Sequence, residues 1–281
     1  MDHYAVMGNP VAHSKSPQIH ALFAAQTRQE IEYRAILVER GGLADAVATF
    51  AYGGGRGLNI TVPFKEDAWA LAAQRSPRAE RAGAVNTLVL HDNGEHFGDN
   101  TDGAGLVRDL DVNLGVALAG HRILVLGAGG AARGILAPLL GSMPRALTVS
   151  NRSMGKAEDL ARGFADLGPI RAVAPSALAG GEFDVVLNAT SSSLASAAAG
   201  PPPWPGTIFA GVALAYDLMY GSEPTAFERW AHANGAARVA DGFGMLLEQA
   251  AESFLVWRGV RPDTAPVFAL LRGERKQSRN A

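Results

Sequence analysis

Arg122-Ile123-Leu124-Val125-Leu126-Gly127-Ala128-Gly129-Gly130-Ala131-Ala132 is an apolar run of strand length that passes through a glycine-rich turn into a helical stretch. That context is what a G-x-G-x-x-G/A match requires to mean nucleotide binding. Glycine allows a tight turn and close backbone approach, and a helix amino terminus offers unpaired N–H groups and a positive dipole to a pyrophosphate. A plain glycine-rich turn is the competing reading. Outward from this stretch, residues 146–150, 170–173, 184–188 and 212–218 are further apolar runs of strand length, mostly followed by helical segments. The alternation predicts a parallel sheet covered on both faces.

The first hundred residues also alternate. An apolar run at 4–7 ends in Gly8-Asn9-Pro10, and Ser16-Pro17 reads as a helix cap followed by proline at the first helical position. Residues 33–38, 58–61 and 84–90 are strand candidates, separated by helical stretches at 43–52 and 65–74. Residues 106–118 carry the chain from one α/β block to the next, with Asp102-Gly103 marking the boundary. Residues 243–257 have apolar positions at helical spacing. Pro201-Pro202-Pro203-Trp204-Pro205 reads as a surface loop.

Composition narrows the class. The chain has 281 residues, a net charge of −2, 48% hydrophobic residues and no cysteine. Such a chain can bury a substantial core and suits two domains of ordinary size. Near-neutral charge without a long basic block provides no footprint for nucleic acid, and the mixed tail at 272–279 reads as a frayed, solvated end. Disulfides and thiolate metal sites are excluded, and no His/Asp/Glu cluster has convincing metal-ligand spacing. The amino terminus lacks a basic region followed by a long apolar one, and no run approaches the roughly 18 apolar residues of a membrane span. The expected compartment is the cytoplasm, with no membrane partner.

Two short segments carry the chemistry. Pro63 disfavours the α region at Val62, so Asn59-Ile60-Thr61-Val62-Pro63-Phe64-Lys65 is expected to run extended, with Asn59, Thr61 and the stretch toward Lys65 along one side. The carboxylates of Asp99-Asn100-Thr101-Asp102-Gly103 then become partners for that lysine. Taken singly, Lys65 reads first as a solvated charge at a helix start, and the second segment as a turn. At the end of the run 146–150, a site for an unphosphorylated ribose calls for Asp or Glu, whereas the chain has Asn151-Arg152-Ser153 with Lys156 one turn along. Cations there favour a 2′-phosphate; a helix cap with two solvated cations is the alternative.

With Ser14-Lys15-Ser16-Pro17 upstream, Ala84-Val85-Asn86-Thr87 between the two segments and Gly127-Ala128-Gly129-Gly130 downstream, the chain resembles the shikimate dehydrogenase family along nearly its whole length. The resemblance implies an α/β fold of two domains, with a substrate-binding and catalytic domain at 1–102 and a Rossmann-type parallel-sheet NADP domain at 103–239. Helices in 240–281 would return to the first domain, and two crossings would make a hinged cleft. It implies reversible NADPH-dependent reduction of 3-dehydroshikimate to shikimate, with Lys65 and Asp102 as a catalytic dyad. A carboxylate beside a lysine favours the ammonium, which suits proton donation, so the dyad is assigned without fixing each proton's route.

By the same resemblance Ser14 and Ser16 meet the substrate carboxylate, Asn59, Thr61, Asn86 and Asp102 hold ring hydroxyls, and Gln249 closes the site. Gly127, Ala128, Gly129, Gly130 and Ala131 would carry the pyrophosphate of NADP, and Asn151, Arg152, Ser153 and Lys156 its 2′-phosphate. Tyr216 and Gly242 would wall the nicotinamide, with Tyr216 equally a core residue at a strand end. His13 reads as a supporting residue. The family usually has glycine at the position of Ser193, which departs from the pattern. The partners implied are the small-molecule substrate and a second copy in a homodimer. A quinate/shikimate dehydrogenase using NAD and a non-catalytic ligand sensor are the alternatives; the paired serines and basic segment argue against the first, intact Lys65 and Asp102 against the second.

Overall fold

The computed structural model describes residues 1–190 and 203–277. Ser193 and most of the Ala/Pro-rich stretch around it lie outside the described residues. The chain forms two compact units, one of Met1–Gly105 with Leu246–Ala281 and the other of Leu106–Met245.

In the first unit, β1 (Asp2–Gly8) pairs in parallel with β2 (Ile31–Leu37) and β3 (Gly55–Ile60). β5 (Thr87–Val89) and β6 (Phe97–Asp99) then add antiparallel, and the two-residue β4 (Gln74–Arg75) closes the far edge beside β6. The order is β2-β1-β3-β5-β6-β4. Helices α1 (Ser16–Thr27), α2 (Leu43–Tyr52), α3 (Lys65–Leu71) and α4 (Pro77–Ala82) belong to this unit, as does α10 (Thr264–Gln277). Met7, Phe50, Leu58, Ile60, Phe64 and Leu88 fill a shared core. Burying each such side chain contributes about 1.5–3 kcal/mol, enough to hold even the short strands in register.

The second unit is an all-parallel sheet of order β12-β11-β10-β7-β8-β9. Its strands are β7 (Arg122–Leu126), β8 (Ala146–Ser150), β9 (Ile170–Ala172), β10 (Val185–Asn188), β11 (Leu214–Asp217) and β12 (Val239–Asp241). Ile123 and Val125 enter one core with Ile135, Leu136 and Leu139 of α6 (Gly130–Gly141), while Leu124 and Leu126 enter another with Ile208, Phe209 and Phe227. The period of two therefore buries both faces, as the unbroken apolar strands require. Strand order reverses at β7, which lies between β10 and β8, and such a reversal is where doubly wound sheets bind ligands.

Several expectations need correction. Ser16 does not cap α1: Lys15 occupies the cap position without a side-chain bond, and Ser16 and Pro17 are already helical. The segment 59–65 is not extended throughout. The strand stops at Ile60, the Phe64 N–H donates to the Thr61 carbonyl at 3.0 Å, and Lys65 opens α3. That turn carries Lys65 off the strand's alternation. The change of unit falls between Gly105 and Leu106, within α5 (Asp102–Arg108), rather than at Asp102-Gly103, and a π-helical turn, Asp109–Asn113, follows. Trp204 is buried rather than on a surface loop, because its indole N–H donates to Ser150 Oγ at 3.0 Å. The tail continues α10 as far as Gln277, with the Arg272 guanidinium 4.6 Å from the Phe268 ring centre.

Candidate active site

In the first unit, β3, β5 and β6 run side by side and bring the ends of the two polar segments together. Asn59 lies opposite Thr87, and Thr87 opposite Asp99. Past the end of β3, Thr61 follows Met7 and sits against Gly8. A Cβ on Gly8 would stand 2.3 Å from Thr61 Cγ2, so any larger residue there would displace the Thr61 side chain. Asp102 opens α5 with its N–H donating to Asn100 Oδ1 at 3.2 Å, while the Asn100 amide is anchored on the Ala84 carbonyl.

Lys65 Nζ donates to Asp102 Oδ2 at 2.6 Å, with side chains 30% and 15% exposed. The other carboxylate oxygen accepts from Asn86 Nδ2 at 2.8 Å. Asn86 is itself fixed at its oxygen by the Thr101 N–H at 2.9 Å. Asn59 is 6% exposed, and its amide nitrogen donates to the Asn86 carbonyl, Thr87 Oγ1 and Ser253 Oγ. Gln249 Oε1 faces Asn86 Nδ2 at 3.3 Å and Thr101 Oγ1 at 3.4 Å. Of the substrate residues expected from sequence, the structure thus joins Lys65, Asp102, Asn86, Asn59 and Gln249 in one network. Ser14 and Ser16 are joined to each other, the Ser16 N–H donating to Ser14 Oγ at 3.3 Å, and His13 is exposed.

Three members of this region lie outside the sequence motifs. Ser253 is fully buried and accepts from Asn59 while donating to the Gln249 carbonyl one turn back in α9 (Phe243–Arg258). Its i+4 spacing from Gln249 places both on one helix face, which was the available clue. Tyr33 donates its phenol proton to Asn59 Oδ1 at 2.7 Å. Arg78 grips Asp99 through Nε at 2.7 Å and Nη2 at 2.5 Å, and a third nitrogen reaches Glu252 at 3.1 Å. The Arg78 guanidinium, aided by Ser76 and the Asn100 N–H, holds the Asp99 carboxyl below its ordinary value against the opposing effect of burial. That forked grip anchors the strand end from which Asp102 is reached three residues later.

In the second unit the glycine turn follows β7 directly. Gly127 has φ +108°, and a Cβ there would meet Thr190 Cγ2 at 3.0 Å. Its N–H donates to the Ser150 carbonyl at 2.8 Å, so this turn and Asn151 lie side by side at the ends of β7 and β8. Gly129 occupies the cap position of α6 without a side-chain bond, and Cβ atoms built on Gly129 and Gly130 would meet nothing. Ala128 is half-buried and Ala131 exposed. Arg152, Ser153 and Lys156 are exposed around the start of α7 (Met154–Phe164), and Asn151 donates to the Ser153 carbonyl. Open backbone N–H groups and two cations without an acidic residue at 151–153 are a donor set for phosphates.

Tyr216 is fully buried in β11. Its hydroxyl donates to Asp109 Oδ2 at 2.7 Å and accepts from the Met245 N–H. Burial and the Asp109 charge both push this phenol well above its ordinary value. Gly242 follows β12, where a Cβ would stand 2.2 Å from the Leu218 carbonyl oxygen.

Comparison with known proteins agrees with this layout. Residues 6–88 match a model described as the shikimate dehydrogenase substrate binding domain, residues 111–198 the shikimate / quinate 5-dehydrogenase model, and residues 242–272 the shikimate 5′-dehydrogenase C-terminal domain. The shikimate dehydrogenase (NADP(+)) of Alkalilimnicola ehrlichii is 57% identical over 273 residues, covering 97% of this chain and 99% of its own. The chain belongs to the shikimate dehydrogenase family. Among solved structures, an Ael1 enzyme from Pseudomonas putida is 48% identical with TM-score 0.91, covering 96% of this chain and 98% of its own. A shikimate 5-dehydrogenase from Thermus thermophilus, solved in complex with NADP(H) and shikimate, is 35% identical with TM-score 0.82 and covers 94% of this chain and 96% of its own. The shikimate dehydrogenase models thus match both units, with Lys65 inside the range matched in the first and the glycine turn inside the range matched in the second.

Proposed function

We propose that this chain catalyses reversible NADP-dependent interconversion of 3-dehydroshikimate and shikimate, with Lys65 and Asp102 as the proton-handling pair. The observation that carries the reading is the 2.6 Å contact of the Lys65 ammonium with an Asp102 carboxylate whose other oxygen is held by Asn86. Curated relatives 56–57% identical to this chain are named shikimate dehydrogenase (NADP(+)), which supports the cofactor.

The residues of the second unit fit NADP. The Gly127 turn, at a φ that glycine adopts freely, and the uncapped start of α6 suit a pyrophosphate, and Arg152, Ser153 and Lys156 suit a 2′-phosphate. The chemistry supplied by NADPH when bound is a hydride for C3 of 3-dehydroshikimate.

The charge that then develops on the C3 oxygen is met by Lys65, which donates a proton from Nζ and takes one back in the reverse direction. Asp102 holds that ammonium in place and can accept a bond from the emerging hydroxyl. Asn86, Thr61 and Gln249 present amide and hydroxyl groups to the polar ring, while Ser14 and Ser16 face its carboxylate. No helix of the described residues is long and apolar enough to cross a membrane, and a cytoplasmic reaction is part of the same proposal. Purified protein mixed with shikimate and NADP should generate NADPH absorbance, and much less with quinate or NAD. No reduction of either cofactor by shikimate would refute the reading.

A further inference from the structure

The Asn59 amide has no freedom to turn over. Its nitrogen faces the backbone carbonyl of Asn86 at 3.1 Å, a group that only accepts hydrogen bonds. Flipping the amide would set two oxygens against each other there. Both amide protons are engaged, toward the Asn86 carbonyl on one side and the Thr87 and Ser253 hydroxyls on the other. Oδ1 must therefore face the Tyr33 phenol, which gives it a proton at 2.7 Å.

Tyr33 is held for this task by stacking. Its ring lies on the His20 imidazole with centres 4.2 Å apart and planes 6° from parallel, and Trp257 is tilted against the same pair. His20 is fully buried, and among the described residues neither ring nitrogen makes a hydrogen bond of good geometry, although Asn59 is close enough to favour its protonated form. The imidazole therefore acts on Tyr33 as a flat surface. Burial pushes the Tyr33 phenol well above its ordinary value, with the nearby Ser16 side chain opposing, so the group stays a protonated donor between two of the residues expected to meet substrate.

We propose that Tyr33 is a positioning residue of the substrate site, its hydroxyl fixing the Asn59 amide so that Oδ1 offers its remaining lone pair to a substrate hydroxyl. The assignment rests on the proposed reaction. A ring hydroxyl at this position is recognised as a donor, and a keto or methoxy group there is refused because neither can donate.

Tyr33→Phe removes one oxygen and keeps the stack, which makes it the decisive variant. Wild type must first reduce NADP with shikimate; failure there counts against the proposed function and not against Tyr33. Given that activity, Tyr33→Phe should raise KM for shikimate roughly two- to tenfold, the range for one lost neutral hydrogen bond, with kcat within about twofold and KM for NADP unchanged. On an Asn59→Ala background the same change should have almost no further effect, since the residue it positions is gone. An unaltered KM for shikimate, or an equal loss in both backgrounds, overturns the proposal even if thermal stability falls. Should Tyr33→Phe not fold, Ser253→Ala loosens the opposite end of the amide. A rise in KM without loss of kcat then supports the positioning role, and an unchanged KM overturns it.

Discussion

Lys65 and Asp102 meet at 2.6 Å although 36 residues separate them in the chain, because each opens a helix beside the same strand ends. The pair is partly open to solvent, as a group that exchanges protons with a small substrate needs to be. Lys65→Ala is expected to lose kcat by roughly 10²- to 10⁴-fold while still binding shikimate, the usual range for a lost acid–base group. Asp102→Asn should also depress kcat, and the double variant should fall well short of the product of the two losses. Steady-state kinetics of the three variants check this, and fully multiplicative losses would dissolve the pair as a unit.

Ser14 and Ser16 are expected to act on binding more than on turnover. Ser16 lies within α1 and its hydroxyl does not cap the helix, so its removal should leave stability nearly intact. Ser14→Ala and Ser16→Ala should raise KM for shikimate more than they lower kcat, since a carboxylate contact is made equally in ground and transition states. Substrate titrations with parallel thermal melts separate this from a purely structural effect.

Arg152 is expected to decide the choice of nucleotide. Exposed at the start of α7 with no carboxylate among its immediate neighbours in sequence, it can meet a 2′-phosphate through a fork of two N–H groups. Arg152→Ala should weaken NADP roughly ten- to hundredfold, the equivalent of one lost bond to a charged group, and leave the NAD reaction nearly unchanged. Added salt should erode the wild-type preference in the same direction. Equal losses with both nucleotides would move Arg152 to a role in adenine binding or in the fold.

His20 makes the first unit sensitive to acid. Burial pushes its pKa from 6.5 down to about 3, with Asn59 opposing, and its ring neighbours are Phe23, Tyr33, Phe254 and Trp257. Below about 6.5 the unfolded chain takes up a proton that the folded one refuses, so stability falls as pH drops from there toward about 3. The slope from this one group reaches about 1.4 kcal/mol per pH unit. Denaturant unfolding measured from neutral to acidic pH should show that decline, and His20→Leu should flatten it.

The sequence by itself determined the second sheet and its nucleotide turn, because that information is local. An unbroken apolar strand, glycines that alone adopt φ near +108°, and cations after the next strand each declare themselves within a few residues. It also supplied Lys65, Asp102 and the polar residues around them, through the order of short motifs. Only the tertiary structure decided how those residues are held. β6 is three residues with a glycine at its centre, too short to show a period, yet its pairing with β5 sets Asp99 opposite Thr87 and starts the path to Asp102. The turn after Ile60 took Lys65 off the strand and onto α3, a change that depends on where the Thr61 carbonyl finds its partner. Tyr33, Arg78 and Ser253 look like ordinary strand and helix residues until Asn59, Asp99 and the turn of α9 arrive beside them. Hydrogen bonds of this kind act over about 3 Å between groups as much as 194 residues apart, so their partners exist only once the chain has folded.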